Sequence, residues 1–148
     1  MRITGYKHRE DFKRVMDIND ACYSGDFRPP REIMQDMISV SDVFVSRREA
    51  HNDPGQSIIG FAIVRNAVQP YIWNIAVDPA YQGRGVAGNL LREIIRRYTF
   101  EKCKRITLHV NAENSAQKLY YDYGFRVIAV EKNFFNPDAG LFMERKLP

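Results

Sequence analysis

At 148 residues, 45% of them hydrophobic and 27% charged, the chain has the size and composition of one folded domain, which excludes a disordered polymer. Lys and Arg outnumber Asp and Glu by 22 to 18, but the basic stretches Arg92 to Arg97 and Lys102 to Arg105 are short and interrupted by Glu93, Ile94, Ile95 and Cys103. A mildly basic surface suits an anionic cofactor or substrate about as well as it suits RNA, so charge alone decides nothing, although the interspersed acids argue against a clustered basic face.

Residues 9–23 place Phe12, Val15, Met16, Asn19, Cys22 and Tyr23 on one helical face. Asp26-Phe27-Arg28-Pro29-Pro30 breaks the chain, Pro30 suits a first helical position, and Ile33, Met34, Met37 and Ile38 predict a second short helix. Val43-Phe44-Val45 reads as a strand and Asn52-Asp53-Pro54-Gly55 as a polar turn. Ser57 to Arg65 and Tyr71 to Val77 are strands by their β-branched and aromatic content. Beyond Asp78-Pro79, a glycine-rich turn leads into an amphipathic helix carrying Leu90, Leu91, Ile94, Ile95 and Tyr98. Ile106 to Val110 alternates like a half-buried strand. Ser115 to Tyr123 is a helix with Ala116, Leu119, Tyr120 and Tyr123 on one side and Gly124 as its stop. Phe125 to Val130 and Leu141 to Leu147 close the chain as strands able to form a hairpin. The order ααβββαβαββ is an α/β fold over residues 1–148 as one domain, a mixed and mostly antiparallel sheet whose central β-α-β unit requires a parallel pair.

No apolar run approaches the ~20 residues of a membrane helix, and the first residues lack an apolar signal core. A cytoplasmic protein without membrane contact is expected. Cys22 and Cys103 fall in no Cys-x-x-Cys or Cys/His spacing, so no metal is expected and both thiols stay reduced.

The chemistry concentrates at Gln82-Gly83-Arg84-Gly85-Val86-Ala87-Gly88. A strand ends, glycines allow a tight turn, and a long helix begins, so several amides point outward unpaired beside the positive end of the helix dipole. That arrangement binds phosphate, although a turn of this kind also serves simply to join strand to helix. A triphosphatase loop would need Gly-Lys-Ser/Thr, which is absent. A dinucleotide fold would place its acidic residue at the end of the next strand. Here Glu101 precedes that strand, and two helices and three strands precede the glycines.

Gln82-Gly83-Arg84-Gly85-Val86-Ala87 resembles the Q/R-x-x-G-x-G/A signature of the GNAT acetyltransferase superfamily, and Ala116-x-x-Leu119-Tyr120-x-x-x-Gly124-Phe125 resembles its second signature. Asn133-Phe134-Phe135-Asn136-Pro137 is similar to the aromatic pair before a proline in the ribosomal-protein-alanine N-acetyltransferase branch. The resemblance implies direct transfer of acetyl from acetyl-coenzyme A to a primary amine, with no covalent acyl-enzyme. A peptide or protein N-terminal amine is the first expected acceptor and a small-molecule amine the second, with the protein working as a monomer or homodimer. It implies that backbone groups of Ile75, Ala76 and Val77 hold the pantetheine arm and amides from Gly83 to Gly88 hold the pyrophosphate, with Gln82 and Arg84 at the same turn.

Tyr120 resembles the family's general acid, and otherwise reads as a core aromatic. His109 alternates against Ile106, Leu108 and Val110 and so faces the other side of the sheet, at a position where the resembling branch carries a glutamate base. It is either that base, directly or through water, or a satisfied structural histidine. Glu113 is the fallback. The asparagine of the second signature has no single counterpart: Asn111 and Asn114 are both candidates for the cofactor contact. Phe134 and Phe135 stand where hydroxylated tyrosines are expected. The acceptor is expected between the loop from Tyr23 to Pro30 and the hairpin near Phe134. A non-catalytic acyl-coenzyme A sensor is the alternative; it would keep the glycine turn without needing Tyr120 or His109.

Overall fold

Apolar alternation builds one sheet of seven strands, seen in a computed structural model that describes residues 1–49 and 57–148. The turn expected at Asn52 to Gly55 lies outside the described residues. The strands are β1 (Arg2–Gly5), β2 (Ser41–Arg47), β3 (Ile58–Arg65), β4 (Tyr71–Val77), β5 (Arg105–Asn111), β6 (Arg126–Phe135) and β7 (Asp138–Lys146). The helices are α1 (His8–Cys22), α2 (Arg31–Ser39), α3 (Val86–Phe100) and α4 (Ala116–Asp122). Strand order across the sheet is β1-β2-β3-β4-β5-β7-β6. The expected order of elements is present with one correction: β1 precedes it. Four residues with only Ile3 and Thr4 as strand formers are too short to carry a periodic signal, and β1 exists because it pairs with β2, Arg2 opposite Arg47 through Gly5 opposite Phe44.

Both faces of the sheet are covered, which explains why β3 is buried from Ile58 to Val64 and lacks alternation. Phe44, Ala62, Val64, Ile106, Leu108 and Val110 pack with Leu90, Leu91, Ile94 and Tyr98 of α3. On the other face Val45, Phe61 and Ile63 pack with Phe12, Val15 and Ile18 of α1 and with Met34 and Ile38 of α2. The hairpin lies as expected, with β7 inserted between β5 and β6, so that His109 opposes Phe142 and Ala129 opposes Phe142 on the far side.

One buried charge pair ties α1 to the sheet edge. Asp11 is fully buried, and its Oδ2 accepts hydrogen bonds from the Lys7 amide and from Arg47, both at 2.7 Å. Arg47 also donates to Thr4 of β1 at 2.8 Å. Asp11→Ala removes the buried carboxylate that accepts from both the Lys7 amide and Arg47, and a loss of about 3 kcal/mol is expected. A urea midpoint that stays at the wild-type value would contradict it.

Two irregularities in β4 open the sheet. Ile63 opposes Asn74 while Val64 opposes Ile72, so Trp73 is an extra residue, a bulge that interrupts alternation. Trp73 and Asn74 therefore both turn toward α1, where the Asn74 amide donates to Asn19 Oδ1 at 3.2 Å and its oxygen accepts from Tyr23 at 2.8 Å. On the opposite edge, β4 pairs in parallel with β5 only at Tyr71–Thr107 and Ile72–Leu108. Beyond those two pairs the strands part.

Candidate active site

The glycine turn follows the end of β4. Asp78 accepts the Ala80 amide at 2.9 Å and is held by Arg14, while Gln82 Nε2 donates to Val77 O at 3.0 Å. Gly83 and Gly85 adopt φ of +75° and +82°, a region that side chains rarely enter. A Cβ at either position would meet nothing within 4 Å, so the space beside the turn is open. Gly85 caps α3, and the helix's first internal bond is Asn89 N to Gly85 O at 3.0 Å. The amides of Val86, Ala87 and Gly88 thus precede the bonding ladder and, beside the dipole, suit an anion. Arg84 is exposed, with its guanidinium 5.3 Å from the Tyr81 ring centroid. Gly88 has a separate necessity: a Cβ there would lie 2.5 Å from the Tyr123 hydroxyl, so α3 and the end of α4 meet through it.

A cavity of about 730 Å³ opens where β4 and β5 part. It is walled by Ile75, His109, Asn111, Asn114 and Tyr120, by Tyr23, Phe27 and Pro29 on one side, and by Phe134, Phe135 and Asn136 on the other. The structure thus brings together Tyr120, His109, Ile75 and Asn114 with both loops expected to hold an acceptor. Residues 82–88 do not line this cavity and sit beyond the end of β4. Ala76 points away, into the core under α1. Two carbonyls of β4 already have partners: Ile75 O accepts from Tyr23 at 3.2 Å, and Val77 O accepts from Cys22 Sγ at 3.1 Å as well as from Gln82.

Tyr120 is buried on α4, with its ring edge-on to Phe125 at 6.0 Å between centroids. Its placement follows from the helix stop: Gly124, at φ +89°, lets its own amide reach Tyr121 O and the Phe125 amide reach Tyr120 O, each at 3.0 Å. Burial pushes the Tyr120 hydroxyl up to about 12. It therefore stays protonated, as a donor must, through the neutral range. The Cys22 thiol is also pushed up by burial, against the hydrogen bond to Val77 O and with the Asp78 charge adding to the rise, the opposite of what a nucleophile needs.

His109 faces the cavity side of the sheet, as alternation predicts. Its Nδ1 lies 2.7 Å from the Tyr71 hydroxyl, and its Nε2 lies 3.2 Å from Glu131 Oε1. The second contact is within ion-pair range but makes no hydrogen bond, and Nε2 is buried away from solvent. Phe134 stacks on the ring at 4.0 Å and 6°, and Phe142 lies at 4.7 Å. The Tyr71 hydroxyl is pushed up to about 12, chiefly by burial, with the Glu131 charge adding and the bond to His109 opposing. Asn111 is committed at both ends of its amide, donating to Asp138 at 3.0 Å and accepting the Glu113 amide at 2.9 Å. Asn114 uses only its oxygen, on the Ala116 amide at 2.8 Å. Glu113 is exposed beyond the end of β5.

The sequence profile of the Acetyltransferase (GNAT) family matches residues 12–125. The chain belongs to this family. Over 81 residues it is 37% identical to a ribosomal protein bS18-alanine N-acetyltransferase of Haemophilus ducreyi, a match taking in 53% of this chain and 56% of that protein. The chain thus spans a little over half the length of this relative. The fold of the GNAT chain is shared by the ribosomal-protein-S18-alanine N-acetyltransferase from Escherichia coli, with TM-score 0.85 and 20% identity over 99% of this chain and 93% of that one. It is shared also by a chain of the NatC complex bound to Gag peptide and CoA, with TM-score 0.83 and 21% identity over 99% and 98%.

Two residues of this GNAT site, Tyr71 and Glu131, carry no motif. Tyr71 reads only as a strand opener, and Glu131 falls just past the closing strand expected to end at Val130. Tyr71 lies on β4, next to the His109 strand, and Glu131 on β6, one strand removed across β7; the register that brings both to the ring is non-local. Three arginines of α3 and β5 are paired with acids: Arg96 with Glu93 at 2.7 Å and Arg97 with Glu101 at 2.8 Å within the helix region, and Arg105 with Glu144 of β7 at 2.5 Å.

Proposed function

We propose that this GNAT chain, acting as one domain over residues 1–148, transfers acetyl from acetyl-coenzyme A to the N-terminal amine of a peptide or protein. The observation that carries the reading is the opening of the sheet between β4 and β5 onto a cavity holding both Tyr120 and His109, with an anion-suited helix start at the far end of the same strand. An extended thioester fits that layout. Amides from Gly83 to Gly88 take the pyrophosphate, the parted edge of β4 from Ile75 to Val77 takes the pantetheine amides, and the acetyl carbon arrives at the cavity. Asn114, with its amide nitrogen uncommitted, is a better cofactor contact than Asn111. The names of the relative and of the structures above support a peptide N-terminus as acceptor. The aromatic walls at Tyr23, Phe27, Phe134 and Phe135 leave room for a peptide's first side chains. No described helix is long and apolar enough to cross a membrane, and a cytoplasmic setting, where acetyl-coenzyme A and newly made chains meet, agrees with this chemistry.

Chemically, the amine must be neutral when it attacks, the oxygen of the tetrahedral intermediate needs a donor, and the departing thiolate needs a hydrogen bond. His109 receives the amine's proton and Tyr120 faces the leaving sulfur. Turnover of acetyl-coenzyme A measured over a panel of N-terminal peptides and free amines tests the reading. Peptide turnover supports it, turnover of free amines alone moves the acceptor to small molecules, and cofactor binding without any turnover indicates a sensor.

Cofactor binding has its own prediction. Coenzyme A at 100 times its Kd stabilises a protein by about 2.7 kcal/mol, roughly 5 °C or more in Tm for a chain of this size. Gly85→Asp keeps the turn, because Asp tolerates the left-handed region better than most residues and its Cβ meets nothing within 4 Å. It also places a negative charge where phosphate would sit. The Tm rise with coenzyme A is expected to vanish in a variant that is folded without it; a retained rise would remove the turn from the cofactor site.

A further inference from the structure

The imidazole of His109 has no open nitrogen. Nδ1 is engaged by the Tyr71 hydroxyl at 2.7 Å, and Nε2 is buried beside Glu131 Oε1 at 3.2 Å. Phe134 covers one face of the ring. His109 and Tyr71 both line the cavity, but with Nδ1 engaged and Nε2 buried the polar group that an amine there meets is the Tyr71 hydroxyl. We infer that Tyr71 is the catalytic residue that meets the acceptor amine, that His109 takes the proton through the Tyr71 hydroxyl, and that Glu131 is a positioning residue that holds the Nε2–H tautomer and stabilises the imidazolium. This inference rests on the acetyl-transfer reading above.

The tautomer follows from the partners. Glu131, as a carboxylate, only accepts, so Nε2 carries the hydrogen, and Nδ1 is left with the lone pair that accepts from Tyr71. A modest turn of the half-exposed Glu131 side chain, 44% exposed against 13% for His109, completes the second hydrogen bond. In the transfer step the C–N bond forms and the C–S bond breaks. The proton leaving nitrogen passes to the Tyr71 oxygen as the Tyr71 hydrogen passes to Nδ1, so Tyr71 ends as it began. His109, now cationic, returns its proton to solvent, from which the thiolate takes one when the products leave. The titratable groups against the ring are Tyr71 from β4 and Glu131 from β6; β7 contributes only Phe142.

The test combines two measurements on the full chain. One is the tautomer of the His109 ring, read from its nitrogen NMR shifts and assigned with His109→Gln; the other is steady-state turnover of an N-terminal peptide. Glu131→Leu is expected to shift the ring away from the Nε2–H tautomer and to lower kcat with KM little changed. Tyr71→Phe is expected to lower kcat by about 10²-fold or more with KM little changed. An unchanged tautomer in Glu131→Leu overturns the positioning role, and wild-type kcat in Tyr71→Phe overturns the relay. Wild-type protein that acetylates no amine while the tautomer still responds to Glu131→Leu overturns the acetyl-transfer reading and leaves the ring pairing supported.

Discussion

Tyr120→Phe is expected to lower kcat by about 10²- to 10⁴-fold, the range for loss of a general acid, with coenzyme A affinity and Tm close to wild type. Only the hydroxyl is removed, and the ring keeps its place in the core against Phe125. A phenol pushed up to about 12 by burial would transfer its proton uphill to a thiolate whose ordinary range is near ~8.5. Its contribution is thus a hydrogen bond that strengthens as charge grows on sulfur, not an early full transfer. Because burial raises the value, the protonated donor persists through neutral and mildly alkaline pH. With the hydroxyl pushed up to about 12, the kcat profile should show no loss from Tyr120 below about pH 10. Stopped-flow and steady-state turnover with one good peptide acceptor check this. Unchanged kcat in the phenylalanine variant would return Tyr120 to a packing role.

His109→Gln is expected to lower kcat/KM by a similar factor, about 10²- to 10⁴-fold, and to erase the acidic limb of the pH profile. Glutamine still hydrogen-bonds to Tyr71 but cannot take a proton. The substrate amine titrates independently and should leave its own limb at higher pH in both proteins. His109→Glu would restore the residue type of the resembling branch, yet here it places a second carboxylate beside Glu131, which lies 3.2 Å from the histidine. No rescue is expected from that variant alone, since two close carboxylates resist sharing charge. Equal activity of wild type and His109→Gln across the pH range would make the histidine structural.

Several parts of this reading were legible before any coordinates. Glycine spacing after Asp78-Pro79 announced a strand-to-helix turn with outward amides, because backbone freedom at Gly83 and Gly85 is a local property. Gly124 announced the end of α4 for the same reason. Strict alternation in β5 placed His109 opposite Leu108 and Val110, and the structure keeps it there. The loop from Tyr23 to Pro30 and the hairpin near Phe134 were legible as cavity walls because both are aromatic segments, although Phe134 and Phe135 extend β6 beyond the expected strand end at Val130.

What the amino-acid order determined by itself, then, is the set of elements after Gly5, the anion-suited turn, the helix bearing Tyr120 and the face of His109, since each depends on contacts or torsions within a few residues. Tertiary structure alone decided the rest. The edge strand β1 forms only because β2 offers it a partner and Arg47 joins Thr4 to Asp11. The bulge at Trp73 appears only when β4 is laid against β3, and it turns Asn74 toward Tyr23. The parting of β4 from β5 after Ile72 makes the cavity. Placing Tyr71 and Glu131 at the two nitrogens of His109 needs strands β4, β5, β7 and β6 in their observed order and register. Strand register is set by packing between segments far apart in the chain, and no local pattern encodes it.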